Sequence, residues 1–192
     1  MLQDTERAPR RDAVRNRARL LDAARKTFAE HGLDVPLEEV ARTAGVSRTT
    51  LYRNFATREE LAATVFEDNV ARIEQRSREL EGRPGAVVEL FDFVLGLQFE
   101  HGGIAHMLSQ AGASWFSTLA GRTASAFVPL LEQGRGEGIV HPDVYVCDVI
   151  LAYQMAEGAM DDADGDRRAE NHDRIRAMLH RSLFLTGRPS PT

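Results

Sequence analysis

Residues 37–55 of the chain read LEEVARTAGVSRTTLYRNF, which is two short amphipathic segments separated by a glycine. Apolar side chains recur at helical spacing in both segments, which predicts two helices that each bury one face. Gly45 stands between them, and glycine readily adopts the left-handed conformation that a tight turn needs. The predicted core positions of this helix-turn-helix are Val40, Ala41, Ala44, Val46, Leu51 and Phe55.

The outer face of the second segment is polar, as a helix that enters the major groove of DNA requires. Arginine can pair with guanine through two hydrogen bonds, and a threonine methyl group can contact thymine. The residues expected to read bases are therefore Arg48, Thr49 and Thr50. Phosphate contacts are expected from Tyr52, Arg53 and Arg58, and Asn54 completes the predicted DNA-binding set. The alternative is that these are ordinary solvent-exposed helix side chains.

Capping residues set the helix boundaries around this motif. Residues 12–31 carry apolar side chains on one helical face, and Ser47 is a good N-cap for the second motif helix. Thr57 and Glu60 form a capping box that starts a linking helix over residues 58–80. The predicted organisation is a flexible basic arm (1–11), a DNA-binding domain (12–60, with the motif at 36–55) and a C-terminal regulatory and dimerisation domain (81–192).

Four blocks in this region resemble the DNA-binding domain of the tetracycline-repressor-like (TetR) family. They are FAEHG (28–32), EVARTAGVS (39–47), TLYRNF (50–55) and TREEL (57–61), and the resemblance covers roughly residues 14–70. It implies a three-helix DNA-binding domain, a ligand-sensing helical body and a homodimer formed by the last two long helices. It also implies a repressor released by a small molecule. Family members often open the first motif helix with Thr or Ser, whereas this chain has Pro36 and Leu37 there.

Charge is distributed unevenly along the chain. The net charge is −5 overall, but residues 1–60 carry +2 and residues 61–192 carry −7. The first nineteen positions hold six arginines: Arg7, Arg10, Arg11, Arg15, Arg17 and Arg19. A basic end on an acidic body suits a protein that meets phosphate at one end. An ordinary solvated surface would give the same charges, so the motif decides between the two.

The rest of the chain is predicted to be helical, which makes the fold all-α. Apolar helical patterns occur at roughly 86–100, 104–111, 114–135, 142–161 and 167–186. No stretch is apolar for long enough to span a membrane, and the N-terminus lacks the apolar core of a secretion signal. The single cysteine excludes an internal disulfide framework. We therefore expect a cytoplasmic protein.

Large apolar side chains concentrate at residues 91–131, beside a few polar groups. Binding pockets are apolar shells with few polar groups, so this set could enclose a small-molecule effector, although a packed core would have the same composition. The predicted effector pocket comprises Phe91, Leu95, Gln98, Phe99, His106, Met107, Trp115, Phe116, Leu119 and Phe127.

The last two helical patterns each carry more apolar surface than one packing partner would cover. Two apolar stripes need two partners, which are the helix's own bundle and a second subunit. The predicted homodimer interface comprises Val144, Cys147, Leu151, Met155, Gly158, Ile175, Met178, Leu179 and Leu183. A two-fold dimer also matches a pseudo-palindromic operator.

Other chemistries find little support in the residues. His101 and His106 lack a third metal ligand, and the acidic turn at 161–166 lacks the order of a calcium loop. No serine or cysteine has a recognisable base and orienting acid, so we expect no enzyme, metal or cofactor. The predicted function is a sequence-specific transcriptional repressor with an unidentified small-molecule effector. The alternatives are an effector-independent DNA-binding regulator and a helical protein-binding adaptor.

Overall fold

A computed structural model describes the backbone of residues 7–32, 35–101, 114–161 and 165–185, and the side chains of 12–32, 35–100, 117–159 and 169–185. The predicted all-α class is confirmed, because the described residues fold into helices joined by turns. In chain order the helices are α1 (Arg7–His31), α2 (Leu37–Ala44), α3 (Arg48–Asn54), α4 (Arg58–Leu80), α5 (Ala86–His101), α6 (Ser114–Gly136), α7 (Val146–Asp161) and α8 (Gly165–Leu183).

The helices of the motif and the linking helix α4 begin and end where the capping residues predicted. Other boundaries differ from the prediction. Helix α1 begins at Arg7, so residues 7–11, which were expected to belong to a flexible arm, are helical. Helix α7 begins at Val146 rather than at 142, because the Asp148 carboxylate accepts the Tyr145 backbone N–H at 2.7 Å and caps the helix there.

Helix α8 ends at Leu183, three residues before the predicted end. The chain then pairs with the segment that precedes α7: Leu185 N–H donates to the Ile139 carbonyl at 2.7 Å, and Val140 and Phe184 form an isolated antiparallel bridge. This pairing satisfies backbone groups that the end of a helix would leave unpartnered. The predicted helix at 104–111 lies outside the described residues.

A first core lies among α1 to α4. Phe28, Val40, Leu51 and Phe55 are completely buried in it, as the spacing of apolar residues predicts. Because the motif helices contribute mainly small or short side chains, they can pack closely against α1. The motif is therefore held on a rigid base, which a surface that must fit DNA requires.

A second core lies among α5 to α8 and the end of α4, and it is richer in aromatic side chains. The Phe91 and Tyr153 rings stack at 5.0 Å between centroids, and the Tyr153 hydroxyl donates to the Phe91 carbonyl at 3.1 Å. Close packing extends to α6, where a β-carbon at Gly134 would lie 2.7 Å from a Val140 methyl carbon.

Helix α4 touches both cores and is tied to helices on either side. The Arg25 guanidinium of α1 pairs with the Asp68 carboxylate. At the other end, Arg122 of α6 holds the Glu74 carboxylate through two hydrogen bonds of 2.7 and 2.8 Å. The Ser77 hydroxyl donates to the Ala126 carbonyl at 2.6 Å. Helix α4 is thus the mechanical connection between the motif and the C-terminal helices.

Across the described ranges, none of the helices combines the length and the apolar character that crossing a membrane would take.

Candidate nucleic-acid interface

The turn between α2 and α3 depends on Gly45. Its φ of 63° lies in the left-handed region, and its N–H bonds to the last turn of α2. The Arg19 guanidinium of α1 donates to the Gly45 carbonyl at 3.3 Å, and a β-carbon at Gly45 would lie 2.7 Å from Arg19 Nη2. The turn therefore needs glycine for its left-handed conformation, and Arg19 links the turn to α1.

Helix α3 is capped as predicted. The Ser47 hydroxyl oxygen accepts the Thr50 backbone N–H at 3.1 Å, and the two hydroxyl oxygens lie 2.9 Å apart. Thr50 is half-buried as a result. Its hydroxyl is engaged within the helix, which leaves its methyl group as the part suited to meeting a base.

The other predicted DNA contacts divide by exposure. Arg48, Thr49, Tyr52 and Arg53 are exposed along one side of α3, while Arg58 is half-buried in the first turn of α4. The set forms a contiguous polar surface, as a recognition helix requires.

Asn54, also predicted to contact DNA, is half-buried and has an internal role. Its side-chain amide donates to the Thr50 carbonyl at 2.7 Å, which satisfies a backbone acceptor at the end of α3.

An acidic side chain, Glu38 in the first turn of α2, lies against the side chains of Arg48 and Tyr52 on this surface. Its carboxylate pairs with the Arg48 guanidinium and accepts the Tyr52 hydroxyl at 3.0 Å. The hydrogen bond from Arg48, helped by the one from Tyr52, holds the pKa of Glu38 below its usual value. The bond to Glu38 raises the pKa of Tyr52. At neutral pH the cluster is therefore a carboxylate, a guanidinium and a neutral phenol.

The sequence interpretation did not single out Glu38. In the sequence, the only trace of this contact is that Glu38 lies ten residues before Arg48, each at the start of a short predicted helix. That separation has no meaning until the turn at Gly45 folds α2 and α3 against each other.

A second missed residue is Arg17 of α1. Its guanidinium lies 4.5 Å from the centre of the Phe55 ring and donates to the Asn54 carbonyl at 3.4 Å. A cation near a helix C-terminus is favourable. Arg15, Arg17 and Arg19 are exposed along α1, so part of the basic N-terminal charge lies beside the end of α3.

At the start of α4 the predicted Thr57 cap forms, whereas the Glu60 side chain bonds one residue earlier than a capping box requires. Thr57 Oγ1 accepts the Glu60 N–H at 3.1 Å, and Glu60 Oε2 accepts the Ala56 N–H at 2.8 Å. Arg58 is thereby held at a fixed place next to α3. Helix α2, in contrast, has Pro36 as its N-cap residue and no side-chain cap, and the Glu39 N–H bonds to the Pro36 carbonyl at 2.9 Å.

The predicted effector-pocket residues differ in how deeply they are buried. Phe91, Leu95, Leu119 and Phe127 are buried, whereas Gln98 and Phe99 are half-buried. His106 and Met107 lie outside the described residues, as do the side chains of Trp115 and Phe116.

Two buried polar atoms lie beside this set. Gln98 Oε1 and His172 Nε2 find no hydrogen-bond partner among the described residues. The His172 ring of α8 lies 4.6 Å from the Phe99 ring of α5, centroid to centroid. His172 is not among the predicted pocket residues, because the sequence pattern assigns its helix to the dimer interface.

Two grooves open elsewhere, on the flanks of α4, and neither contains a predicted pocket residue. The larger, of about 660 Å³, is lined by Arg72, Gln75, Arg76, Glu79, Glu89, Asp92 and Phe93. The smaller lies between α4 and α6. Charged and polar residues make up most of the lining of both grooves, unlike the apolar shell that the sequence pattern predicted.

The predicted dimer residues also divide. Cys147, Leu151, Met155 and Gly158 are exposed along one face of α7. On α8, Met178 is exposed, while Ile175 and Leu179 are half-buried against the second core. Val144 and Leu183, in contrast, are buried in the core of the chain itself and expose little surface to a second subunit. Tyr145, which is 60% exposed, extends the same surface and was missed.

The described residues contain no group of three or more His, Cys, Asp or Glu side chains arranged to hold a metal ion. His101 and His106 fall outside the side chains described.

Known proteins share this sequence pattern and fold. Residues 20–65 match the family described as bacterial regulatory proteins, tetR family. A TetR transcriptional regulator from Streptomyces coelicolor is 25% identical, over 89% of this chain and 99% of that one, with a TM-score of 0.67. A TetR regulatory protein from Mycobacterium vanbaalenii is 26% identical, over 92% and 99%, with a TM-score of 0.62. The TetR-like regulator LfrR from Mycobacterium smegmatis, solved in complex with proflavine, shares the fold at 20% identity over 86% and 94%, with a TM-score of 0.61.

Proposed function

We propose that this chain, which belongs to the TetR family of bacterial regulatory proteins and has the fold of a DNA-binding transcriptional regulator, is a cytoplasmic homodimeric repressor. A small molecule would release it from a pseudo-palindromic operator. The observation that carries the proposal is the exposed polar face of α3, held on a rigid base by Gly45 and by the Ser47 cap. Such a face fits a major groove about 12 Å wide.

Within that face, Arg48, Thr49 and Thr50 read bases, while Tyr52, Arg53 and Arg58 contact phosphate. The exposure of Arg48 and Thr49 at the start of α3 supports the first assignment, because the N-terminal residues of a recognition helix reach base edges. The position of Arg58 at the capped start of α4 supports the second.

The two cores support the proposed division into a DNA-binding domain and a C-terminal body. The first core includes residues from Leu20 to Val65, and the second includes residues from Ile73 to Phe184. We keep 12–60 and 81–192 as the two domains, joined by α4, with the change that α1 extends into the former arm.

The dimer is proposed to form through α7 and α8. Leu151 is 53% exposed, Met155 62% and Met178 59%, and exposed apolar side chains that line up on one face mark an interaction surface. A two-fold axis through this surface would present two copies of α3 to two half-sites of an operator. An adaptor that binds other proteins would place its apolar anchors on α3, where the exposed side chains are polar.

The effector is proposed to bind next to Gln98, Phe99 and His172. A ligand that pairs with Gln98 Oε1 and His172 Nε2 would satisfy two buried polar atoms and cover the Phe99 ring. Pockets of this kind take largely apolar molecules with a few polar groups. LfrR, a protein of the same fold, holds proflavine.

Release from DNA would follow through α4. The ion pair between Glu74 and Arg122 and the bond between Ser77 and Ala126 tie α4 to α6, so a shift of α6 moves the start of α4 beside α3. A tenfold loss of DNA affinity needs only about 1.4 kcal/mol of coupling.

Selection from random-sequence duplexes, followed by fluorescence anisotropy at two salt concentrations, tests the DNA-binding proposal. We expect enrichment of an inverted repeat, with affinity that falls as salt rises because phosphate contacts release counterions. Recovery of no preferred sequence would contradict it.

The effector proposal is tested by a thermal-shift screen of uncharged aromatic compounds. Gln98→Met is the test variant, and Gln154→Met, at an exposed position of α7, is its control. A compound that stabilises the protein, loses that effect in Gln98→Met alone and releases DNA would support the proposal. A compound that binds there and leaves DNA affinity unchanged would support an effector-independent regulator.

A further inference from the structure

A carboxylate on a surface that meets DNA is repelled by the phosphates, so its presence there calls for a functional explanation. Glu38 projects from the first turn of α2 with its side chain 35% exposed, beside Arg48, which is 72% exposed. Both residues flank the groove-facing side of α3. Phosphates approaching this face would meet the Glu38 charge as well as the arginines.

We propose that Glu38 is a specificity-determining residue, which orients Arg48 for base recognition, holds Tyr52 in place beside it, and penalises binding to non-operator DNA. This inference rests on the proposed function and assigns Glu38 a role within it. Glu38 contacts DNA only through the two side chains that it holds.

The contact with Arg48 leaves the guanidinium able to read a base. A guanidinium has five N–H donors, and Glu38 is bonded through Nη2. The remaining donors can reach the O6 and N7 atoms of a guanine while the ion pair stays intact. A long arginine side chain loses rotamer freedom when it binds, and a partner that already restrains it reduces that loss.

Tyr52 completes the arrangement one turn along α3. Its hydroxyl donates to the same Glu38 oxygen that Arg48 binds, at 3.0 Å. One carboxylate oxygen therefore fixes two side chains on the face of α3. On a non-operator sequence, Arg48 gains most by leaving Glu38 for a phosphate, which exposes an unpaired carboxylate to the DNA backbone. This electrostatic repulsion therefore weakens binding to non-operator DNA more than binding to the operator.

The neighbouring acid provides a matched control. Glu39 has the same charge, lies in the same turn of α2, and pairs with Arg42 of its own helix. Glu38→Gln and Glu39→Gln change the net charge equally, but only the first releases Arg48 and Tyr52. Tyr52→Phe removes one of the two bonds to Glu38 and keeps the ring.

The experiment measures anisotropy with the selected duplex and with a scrambled duplex, at several salt concentrations, using full-length protein with unchanged circular dichroism. For Glu38→Gln we expect binding to the scrambled duplex to tighten about fivefold, with a salt slope steeper by about one, because the freed Arg48 becomes a phosphate contact. The preference for the selected duplex should fall about tenfold, since an oriented bidentate pair discriminates by about 1–3 kcal/mol. Tyr52→Phe should lower the preference about two- to threefold, which is a fraction of that discrimination.

Equal effects of Glu38→Gln and Glu39→Gln would overturn the inference, because net charge alone would then explain them. An unchanged preference in Glu38→Gln would also overturn it and leave the proposed function standing. A wild-type protein that binds both duplexes alike would instead overturn the proposed function, and this inference with it.

Discussion

The two ends of the molecule use polar groups differently. Around α3, hydrogen bonds and ion pairs lie on the surface: Ser47 caps the helix, and Glu38 holds Arg48 and Tyr52. In the C-terminal helices, stacked aromatic rings form the centre of the core, and the Tyr153 hydroxyl donates a hydrogen bond to a backbone carbonyl inside it. From this difference we expect the aromatic core to contribute more to stability, and the motif to contribute mainly a surface of defined shape. Variants at the two ends should therefore separate stability from DNA binding.

The largest effect is expected for Phe91→Ala in the aromatic core. Phe91 is fully buried against Tyr153 and Phe184, so its loss should cost about 3–5 kcal/mol of unfolding free energy, measured by urea denaturation. Val128→Ala, at a position 43% exposed, is the control and should change little. A small effect of Phe91→Ala would mean that the aromatic cluster contributes little to stability.

Leu151→Glu should break the proposed dimer and leave the fold of each chain intact. A two-fold interface would bury two copies of the new charge, so we expect dimer affinity to fall by about 2–4 kcal/mol, measured by light scattering across concentrations. Gln75→Glu adds the same charge on an exposed face of α4 and should leave the dimer unchanged. A wild-type chain that is monomeric at micromolar concentration would refute the proposed interface.

Arg48→Ala should change DNA recognition by the motif and leave the free energy of unfolding unchanged. We expect a loss of about 1–3 kcal/mol in operator binding and relaxed preference at one base pair. Arg58→Ala should weaken binding to all duplexes and lower the salt slope by about one. Unchanged affinity and preference in Arg48→Ala would show that Arg48 does not read a base.

Gly45→Ala tests the turn that joins α2 and α3. The left-handed φ of 63° disfavours a β-carbon, so we expect a loss of about 1–2 kcal/mol of stability, whereas the Arg19 guanidinium 2.7 Å away is the end of a flexible side chain and can move aside. Gly121→Ala is the matched control, because this helical glycine of α6 has open space around it. It should raise stability by about 0.5–1 kcal/mol. The same sign for both variants would contradict this explanation.

The smallest effect concerns Asp92, which joins α5 to α8. Burial alone would raise its pKa, but hydrogen bonds from Arg176 and His180 outweigh burial and hold the pKa below its ordinary value of 3.8. A lowered folded-state pKa stabilises the protein above about pH 4, and this contribution disappears as the pH falls through the folded value. Asp92→Asn should therefore cost at most about 1 kcal/mol near pH 7 and converge with wild type at acid pH.

Urea titrations from pH 7 down to pH 3 measure the difference in unfolding free energy between Asp92→Asn and wild type. Asp143→Asn, at an exposed turn, is the control. A constant difference between Asp92→Asn and wild type across that range would refute the linkage.

The local features of the motif were predictable because they depend on neighbours in sequence. The Thr57 and Ser47 caps each join residues three apart, and the structure contains both. The completely buried positions of Phe28, Leu51 and Phe55 follow from helical spacing in the same way. The C-terminal helices were harder, because apolar stripes do not say which face is covered. Val144 and Leu183 proved to be core, whereas Leu151 and Met155 are exposed.

The sequence by itself determined the all-α class, the helix-turn-helix and its polar outer face, because hydrophobic period and capping residues act over a few positions. Only the tertiary structure brought Glu38 to Arg48, Arg17 to Phe55, and Phe99 to His172. These contacts join residues that lie far apart along the chain or on opposite sides of a turn. Pairs of this kind form because whole helices bury their apolar faces together, and that packing decides which polar side chains meet at the edges.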